Sequence, residues 1–209
     1  MDYYVPLLAD NIYHITSRAV GNEKLFLNDD NYKFFLKRYD KYITAIADTF
    51  TYSLLPNHFH FLLQIKSYAE LQKYYKKVKP HGKEDENWQP DFVMQQFSNM
   101  LNSYAKAFNK KNKRKGALFM DYMRRVKVTT DGQYSATVFY IHKNAVHHGY
   151  CNEIPRWPWS SYNAILSNAP TKIERQKVLD WFGSPEKFIE YHSQPLHLKN
   201  AVIVEYENL

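Results

Sequence analysis

Two short patterns in this chain combine residue types that can do chemistry. The first is Asn57-His58-Phe59-His60-Phe61-Leu62. On a strand, residues i and i+2 share a face and lie about 7 Å apart. His58 and His60 therefore point one way, with Leu62 and Gln64, while Phe59, Phe61, Leu63 and Ile65 point the other. Two imidazoles at that spacing can converge on one cation. With oxygen ligands and water beside them they suit Mn²⁺ or, less typically, Mg²⁺. The plainer reading is a pair of polar residues on a solvated strand face, and a third ligand would separate the two.

The second pattern is TVFYIHKNAVHHG, Thr137 to Gly149. On a helix, Tyr140, Lys143, Asn144 and His147 fall on one side and Val138, Ile141 and Ala145 on the other. Tyr140 and Asn144 are one turn apart. A phenol that can attack and an amide oxygen that can ligate a hard cation are thus presented together, with Lys143 and His147 placed to meet phosphate. Here the plainer reading is a solvated polar helix face. Tyr104 is a rival nucleophile near a basic segment, but it shares an apolar stripe with Phe97, Leu101 and Phe108, which reads as core.

Elements that could position these groups follow from periodicity. Asn11 to Arg18 reads as a strand, with Tyr13 and Ile15 on one face and His14, Thr16 and Arg18 on the other. A helix runs from about Asp30 to Ala47. Thr49 to Leu55 and His58 to Lys66 read as a hairpin about Pro56-Asn57. Ser67 to Lys79 is helical, and His81 to Pro90 is a polar loop. Phe92 to Lys111 is a long helix ending in the basic run KKNKRKG. Met123 to Thr129 is a strand, with Val126 and Val128 inward and Arg125 and Lys127 outward. Asp131 to His148 is the tyrosine helix, stopped by Gly149, and short helices and turns follow. The order β-α-β-β-α-β-α predicts an α+β, ferredoxin-like antiparallel sheet with helices packed on one face, plus a small helical C-terminal extension. Residues 1–150 are expected to form the catalytic domain and 151–209 an extension of it.

The chain has 209 residues, 44% apolar and 23% charged, enough to bury a core. The single cysteine excludes an internal disulfide framework and multi-cysteine zinc sites. There is no apolar run of membrane-spanning length, and Met1 to Asp10 lacks the pattern of a signal peptide. A cytoplasmic, nucleoid-associated protein is expected. A net charge of +7 with 18 Tyr suits single-stranded nucleic acid, where bases stack on rings and phosphates meet cations. Lys113, Arg114 and Lys115, with Lys110 and Lys111, would form a mobile basic loop able to clamp a backbone. If the histidine face of the sheet is open, Arg18, Arg125 and Lys127 share it.

Taken together, the two patterns resemble the histidine-hydrophobic-histidine (HUH) single-tyrosine transposases. Tyr140 to Gly149 followed by Trp157-Pro158-Trp159-Ser160-Ser161-Tyr162 resembles the REP-associated branch, as do Tyr13 to Arg18, Tyr104 to Asn109, and Gly116 to Phe119. The resemblance runs from about Asn11 to Phe182. It implies a ferredoxin-like core, a divalent Mg²⁺ or Mn²⁺ held by His58, His60 and Asn144, and Tyr140 as nucleophile. The implied reaction cleaves single-stranded DNA beside a hairpin or palindromic repeat, leaving a 5′-phosphotyrosine and a free 3′-hydroxyl. It leaves open whether the chain acts alone or as a homodimer. Two places depart from the family pattern. Asn144-Ala145-Val146 stands where Asn-Pro-Val is frequent. Leu118-Phe119-Met120-Asp121-Tyr122 replaces a Leu-Phe-Gln run with a following Arg, which puts one DNA contact in doubt. The alternatives are a hairpin-binding protein that no longer cuts, and a replication initiator or relaxase. The latter usually carries a helicase or primase domain, for which this chain has no Gly-rich phosphate loop.

Overall fold

The computed structural model describes residues 4–121 and 123–194; Tyr122 and the last part of the expected extension lie outside the described residues. Four strands form one antiparallel sheet: β1 (Ile12–Arg18), β2 (Ala47–Leu55), β3 (His58–Ile65) and β4 (Arg124–Val128), in the order β2-β3-β1-β4. Every neighbouring pair is antiparallel. This is the expected α+β arrangement, with β1 and β3 central.

Helix α1 (Asp29–Ile43) starts where the Asn28 side chain accepts from the Asn31 amide, with Asp29 and Asp30 in its first turn. It ends earlier than its apolar stripe suggests. Thr44 donates to the Asp40 carbonyl, and Ile46 already pairs with Lys66 beside the sheet. Helix α2 (Tyr68–Val78) begins with a reciprocal capping box of Ser67 and Glu70. Helix α3 (Trp88–Lys111) begins inside the stretch that Pro90 marks as loop. Proline is tolerated there because the first turn has no use for its missing N–H.

On one sheet face, Tyr13, Ile15, Phe59, Phe61, Leu63 and Ile65 pack against Phe35, Tyr39 and Ile43 of α1 and Phe97, Met100 and Tyr104 of α3. The other face carries His14, Thr16 and Arg18 of β1, aligned with Leu62, His60 and His58 of β3. That face is not open. Helix α4 (Asp131–His147) lies across it. The extension, including α5 (Tyr162–Leu166), α6 (Arg175–Phe182) and α7 (Pro185–Ser193), closes over α4 to make a second core around Val138, Ile141, Ile165, Val178 and Phe188. So α1 and α3 share one face, as expected, and α4 with the extension takes the other.

Strand β2 carries a bulge. Thr49 pairs with Leu63 but Thr51 pairs with Leu62, leaving Phe50 without an opposite residue. Phe50 joins the second core, and Thr51 and Ser53 come to lie on the histidine face. No helix among the described residues is long and apolar enough to cross a membrane.

Candidate active site

Strand β3 delivers His58 and His60 to one face, with ring centroids 5.1 Å apart. Helix α4 crosses above them and brings Tyr140 and Asn144 down onto the same spot. The Asn144 side-chain oxygen lies 3.0 Å from His58 Nε2. The Tyr140 ring sits edge-on to His60 at 5.5 Å and to His14 at 5.8 Å. The helical wheel thus groups Tyr140 and Asn144 correctly, but the group faces the sheet and not solvent. Tyr140 is 2% exposed and Asn144 and His60 are 0% and 1% exposed.

Burial holds both histidines neutral. It pushes His58 down to about 4, with the nearby charges of His148 and Arg18 acting in the same direction. It holds His60 well below the ordinary histidine range. Neutral imidazole is the form that ligates metal. His58 Nδ1 lies 2.8 Å from the Asn57 side-chain oxygen, and a neutral imidazole has a single N–H to share between that oxygen and Asn144. With the proton on Nδ1, the Nε2 lone pair of His58 faces another acceptor, Asn144 Oδ1, at 3.0 Å. A cation between them resolves that opposition. Octahedral bonds of about 2.1 Å set adjacent ligand atoms about 3.0 Å apart. His60 Nε2 is buried with no hydrogen-bond partner among the described residues. The donor set of two imidazoles and one amide oxygen therefore fits a divalent ion that keeps several waters. No cluster of three or more His, Cys, Asp or Glu side chains among the described residues could hold one.

The basic residues divide. Arg18 pairs in register with His58 and shares the histidine face. Arg125 and Lys127 do not: they align with Ile15 and Tyr13 and lie on the opposite face. Arg125 donates to the carbonyls of Tyr4, Val5 and Met123, so it fastens the N-terminal segment to the edge strand. Val126 and Val128 do point into a core, but it is the core beneath α4, and their same-side neighbour is Arg124. Arg114 is not a mobile clamp either. Its guanidinium forks onto the Glu23 carboxylate and also donates to Gly116 and Ala117 carbonyls, closing the loop after α3 onto the loop after β1. Lys113, in a left-handed conformation, and Lys115 are exposed. Lys143 is half-buried with its charge near Cys151. His147 is exposed and packs on His148.

Two further histidines, not singled out by the sequence pattern as site residues, stand beside the site. His14 Nε2 lies 2.9 Å from His60 Nδ1. His148 packs on the His58 ring at 5.0 Å. The alternation of β1 puts His14 on the correct face, but only the β1–β3 register reveals the contact. The rival Tyr104 is fully buried in the first core and donates to the Leu25 carbonyl. Burial raises its pKa far above the ordinary phenol value, which disfavours the nucleophilic phenolate.

No protein-family model matches the chain, and no curated protein matches it. Among solved structures it is similar to a REP-associated tyrosine transposase bound to a REP hairpin, with a TM-score of 0.52 and 14% identity, over 82% of this chain and 90% of that one. This chain has the fold of that transposase.

Proposed function

We propose that this chain is a metal-dependent HUH single-tyrosine DNA endonuclease and strand transferase of the REP-associated kind, acting on single-stranded DNA beside a hairpin. The observation that carries this reading is the convergence of two distant segments: Tyr140 and Asn144 of α4 meet His58 and His60 of β3. A solvated polar helix face would have no reason to bury an amide and a phenol against two neutral imidazoles. The solved relative with this fold was captured on a REP hairpin.

In this mechanism His58, His60 and Asn144 would hold Mg²⁺ or Mn²⁺. The ion would neutralise charge developing on the phosphate oxygens and orient the phosphate. Tyr140 Oη attacks phosphorus in line with the bond to the 3′ oxygen. The Oη–P bond forms, the P–O3′ bond breaks, the phenol proton is lost, and the 3′ oxygen leaves and gains a proton. The product is a 5′-phosphotyrosine and a free 3′-hydroxyl. Attack by another 3′-hydroxyl reverses the step and joins strands without ATP. An unperturbed tyrosine has a pKa near 10, so its position and the proton acceptor matter more than its intrinsic basicity. Arg18 brings positive charge to the His58 side, where a phosphate would gain from it.

Covalent trapping tests the proposal. The chain is incubated with labelled hairpin-flanked single strands and Mn²⁺, then denatured. An adduct that maps to Tyr140, is lost in Tyr140→Phe and is blocked by EDTA is the expected result. One observation favours a second reading, a hairpin-binding protein that does not cut: Tyr140 is 2% exposed. Tight hairpin binding with no adduct over a broad hairpin library would establish that reading and end the first.

A further inference from the structure

Among the described residues, the proposed ligand set leaves a third buried imidazole beside it. His14 lies on β1, on the same face as His58 and His60, and is 0% exposed. Its ring is 5.1 Å from that of His60, and its Nε2 is 2.9 Å from His60 Nδ1. The Tyr140 ring packs on both. The other nitrogen of His60, Nε2, is buried without a partner among the described residues.

A neutral imidazole carries one N–H, so the contact has two arrangements. In the first, His14 Nε2–H donates to His60 Nδ1. The proton of His60 then sits on Nε2, buried with nothing to accept it, and that nitrogen cannot ligate a metal. In the second, His60 Nδ1–H donates to His14 Nε2, and the Nε2 lone pair of His60 is left facing the site. The first arrangement strands a donor away from water, which carries the full desolvation penalty. The second leaves a lone pair that a cation satisfies.

We propose that His14 is a positioning residue: it accepts the Nδ1 proton of His60 and so holds His60 in the tautomer that offers Nε2 to a divalent cation. It is not itself a ligand through Nε2, because that atom is committed to His60. The role rests on the metal reading of His58, His60 and Asn144. It also explains why a histidine tolerates full burial at this point of β1. A carboxylate there would bring charge into the core, and an aliphatic residue would leave His60 free to carry its proton on either nitrogen. Outer-shell partners of this kind set ligand orientation and basicity, and their loss typically weakens metal binding about 10- to 100-fold.

The test uses the full chain without DNA. Mn²⁺ is titrated calorimetrically into wild type, His14→Ala and His14→Gln, and ¹⁵N NMR of labelled histidine reads the His60 tautomer in metal-free wild type. The expected tautomer is Nδ1–H. His14→Ala should weaken Mn²⁺ binding about 10- to 100-fold, and His14→Gln, whose Oε1 can still accept the proton, should recover most of it. A general packing defect would not be rescued selectively by an acceptor. If His14→Ala does not fold by circular dichroism, the wild-type tautomer and His14→Gln decide. His60 protonated on Nε2, or unchanged Mn²⁺ affinity in a folded His14→Ala, overturns the inference alone. Wild type that takes up no Mn²⁺ at millimolar concentration removes the metal reading and this inference with it.

Discussion

Acidification should unfasten the second core through one buried pair of histidines. His192 of α7 lies with Nδ1 2.7 Å from the Phe188 carbonyl, to which it donates. Its Nε2 then accepts from His142 Nδ1 at 2.9 Å, and His142 Nε2 accepts from the hydroxyls of Thr51 and Ser161 at 2.6 and 2.8 Å. A charge on either ring would sit in the core away from water, and with both rings protonated two N–H groups would oppose each other. The other groups around it, Tyr162 of α5 with Phe139, Phe182 and Tyr191, supply no carboxylate that would welcome a charge. Burial accordingly pushes His192 from 6.5 down to about 4 and holds His142 well below its ordinary value. Between those two values the unfolded chain binds more protons, so stability falls as pH falls from about 6.5 and is undiminished above it. For His192 the loss from pH 7 to pH 5 is about 2 kcal/mol, at about 1.4 kcal/mol for each pKa unit of difference traversed. His142 acts in the same direction, and the His192 loss alone is a sizeable share of a domain's usual stability of about 5–15 kcal/mol. Urea unfolding followed by circular dichroism at pH 7, 6 and 5 measures this. His58 and His60 contribute in the same direction, so His192→Phe isolates the one group. That variant should be less stable at pH 7, since it leaves His142 Nδ1 unpaired, yet lose about 2 kcal/mol less than wild type on going to pH 5. A wild-type profile flat from pH 7 to 5, or a His192→Phe profile equally steep, would refute the reasoning.

The other expectations concern the site and its surroundings. Tyr104→Phe should leave the Leu25 carbonyl without its side-chain donor and cost about 1–3 kcal/mol in urea unfolding; DNA adduct formation should persist, whereas its disappearance in a folded variant would move the nucleophile. Because Tyr140 and Asn144 are buried, hydrogen exchange in α4 should speed up when hairpin-flanked single strands and Mn²⁺ are added; unchanged exchange during turnover would mean that the hydroxyl is reached without moving the helix. Lys113→Ala with Lys115→Ala should weaken hairpin binding and lower its salt dependence, by a slope of about 0.7–0.9 for each phosphate no longer neutralised. Arg125→Ala should leave both unchanged while raising proteolytic sensitivity near Val5, because that guanidinium is spent on backbone carbonyls; a salt slope reduced as much as in the lysine variant would return Arg125 to the DNA surface.

How far the sequence could be read depended on whether a feature was local. The i, i+2 facing of His58 and His60 and the one-turn spacing of Tyr140 and Asn144 are local, and both pairs share a face as read. The strand order follows from the βαββαβ pattern because the crossovers admit few alternatives. What lay beyond reach was which layer covers each face. Alternation on β4 correctly separates Val126 and Val128 from Arg125 and Lys127, but a sheet buried on both sides has two insides, and only pairing with β1 says which strand face is which. For that reason the sequence pattern misses Arg124 and places Arg125 and Lys127 on the wrong face. Arg114 looked like part of a solvated lysine run because its partner, Glu23, is 91 residues away. The start of α3 was obscured by Pro90, whose meaning differs between a loop and a first helical turn. His14 stood in plain view, but its use requires the β1–β3 register.

The bulge at Phe50 has a consequence for how this chain can change length. Side chains on a strand alternate with period two, so one residue more or fewer turns everything beyond it to the other side. In β2, Thr49 lies with the first core while Thr51 and Ser53 look toward α4. Deleting Phe50 would leave an uninterrupted ladder, a repair by backbone criteria. Both arms would keep their partners, Thr49 with Leu63 and Tyr39 and Thr51 with Leu62 and His142, and what would be lost is the Phe50 ring from the second core. The extra residue thus adds a ring to the second core without turning either arm of the strand. A chain shortened at this point would have a more regular strand over an emptier second core, whereas removing a paired residue on either side would turn an arm to the wrong face.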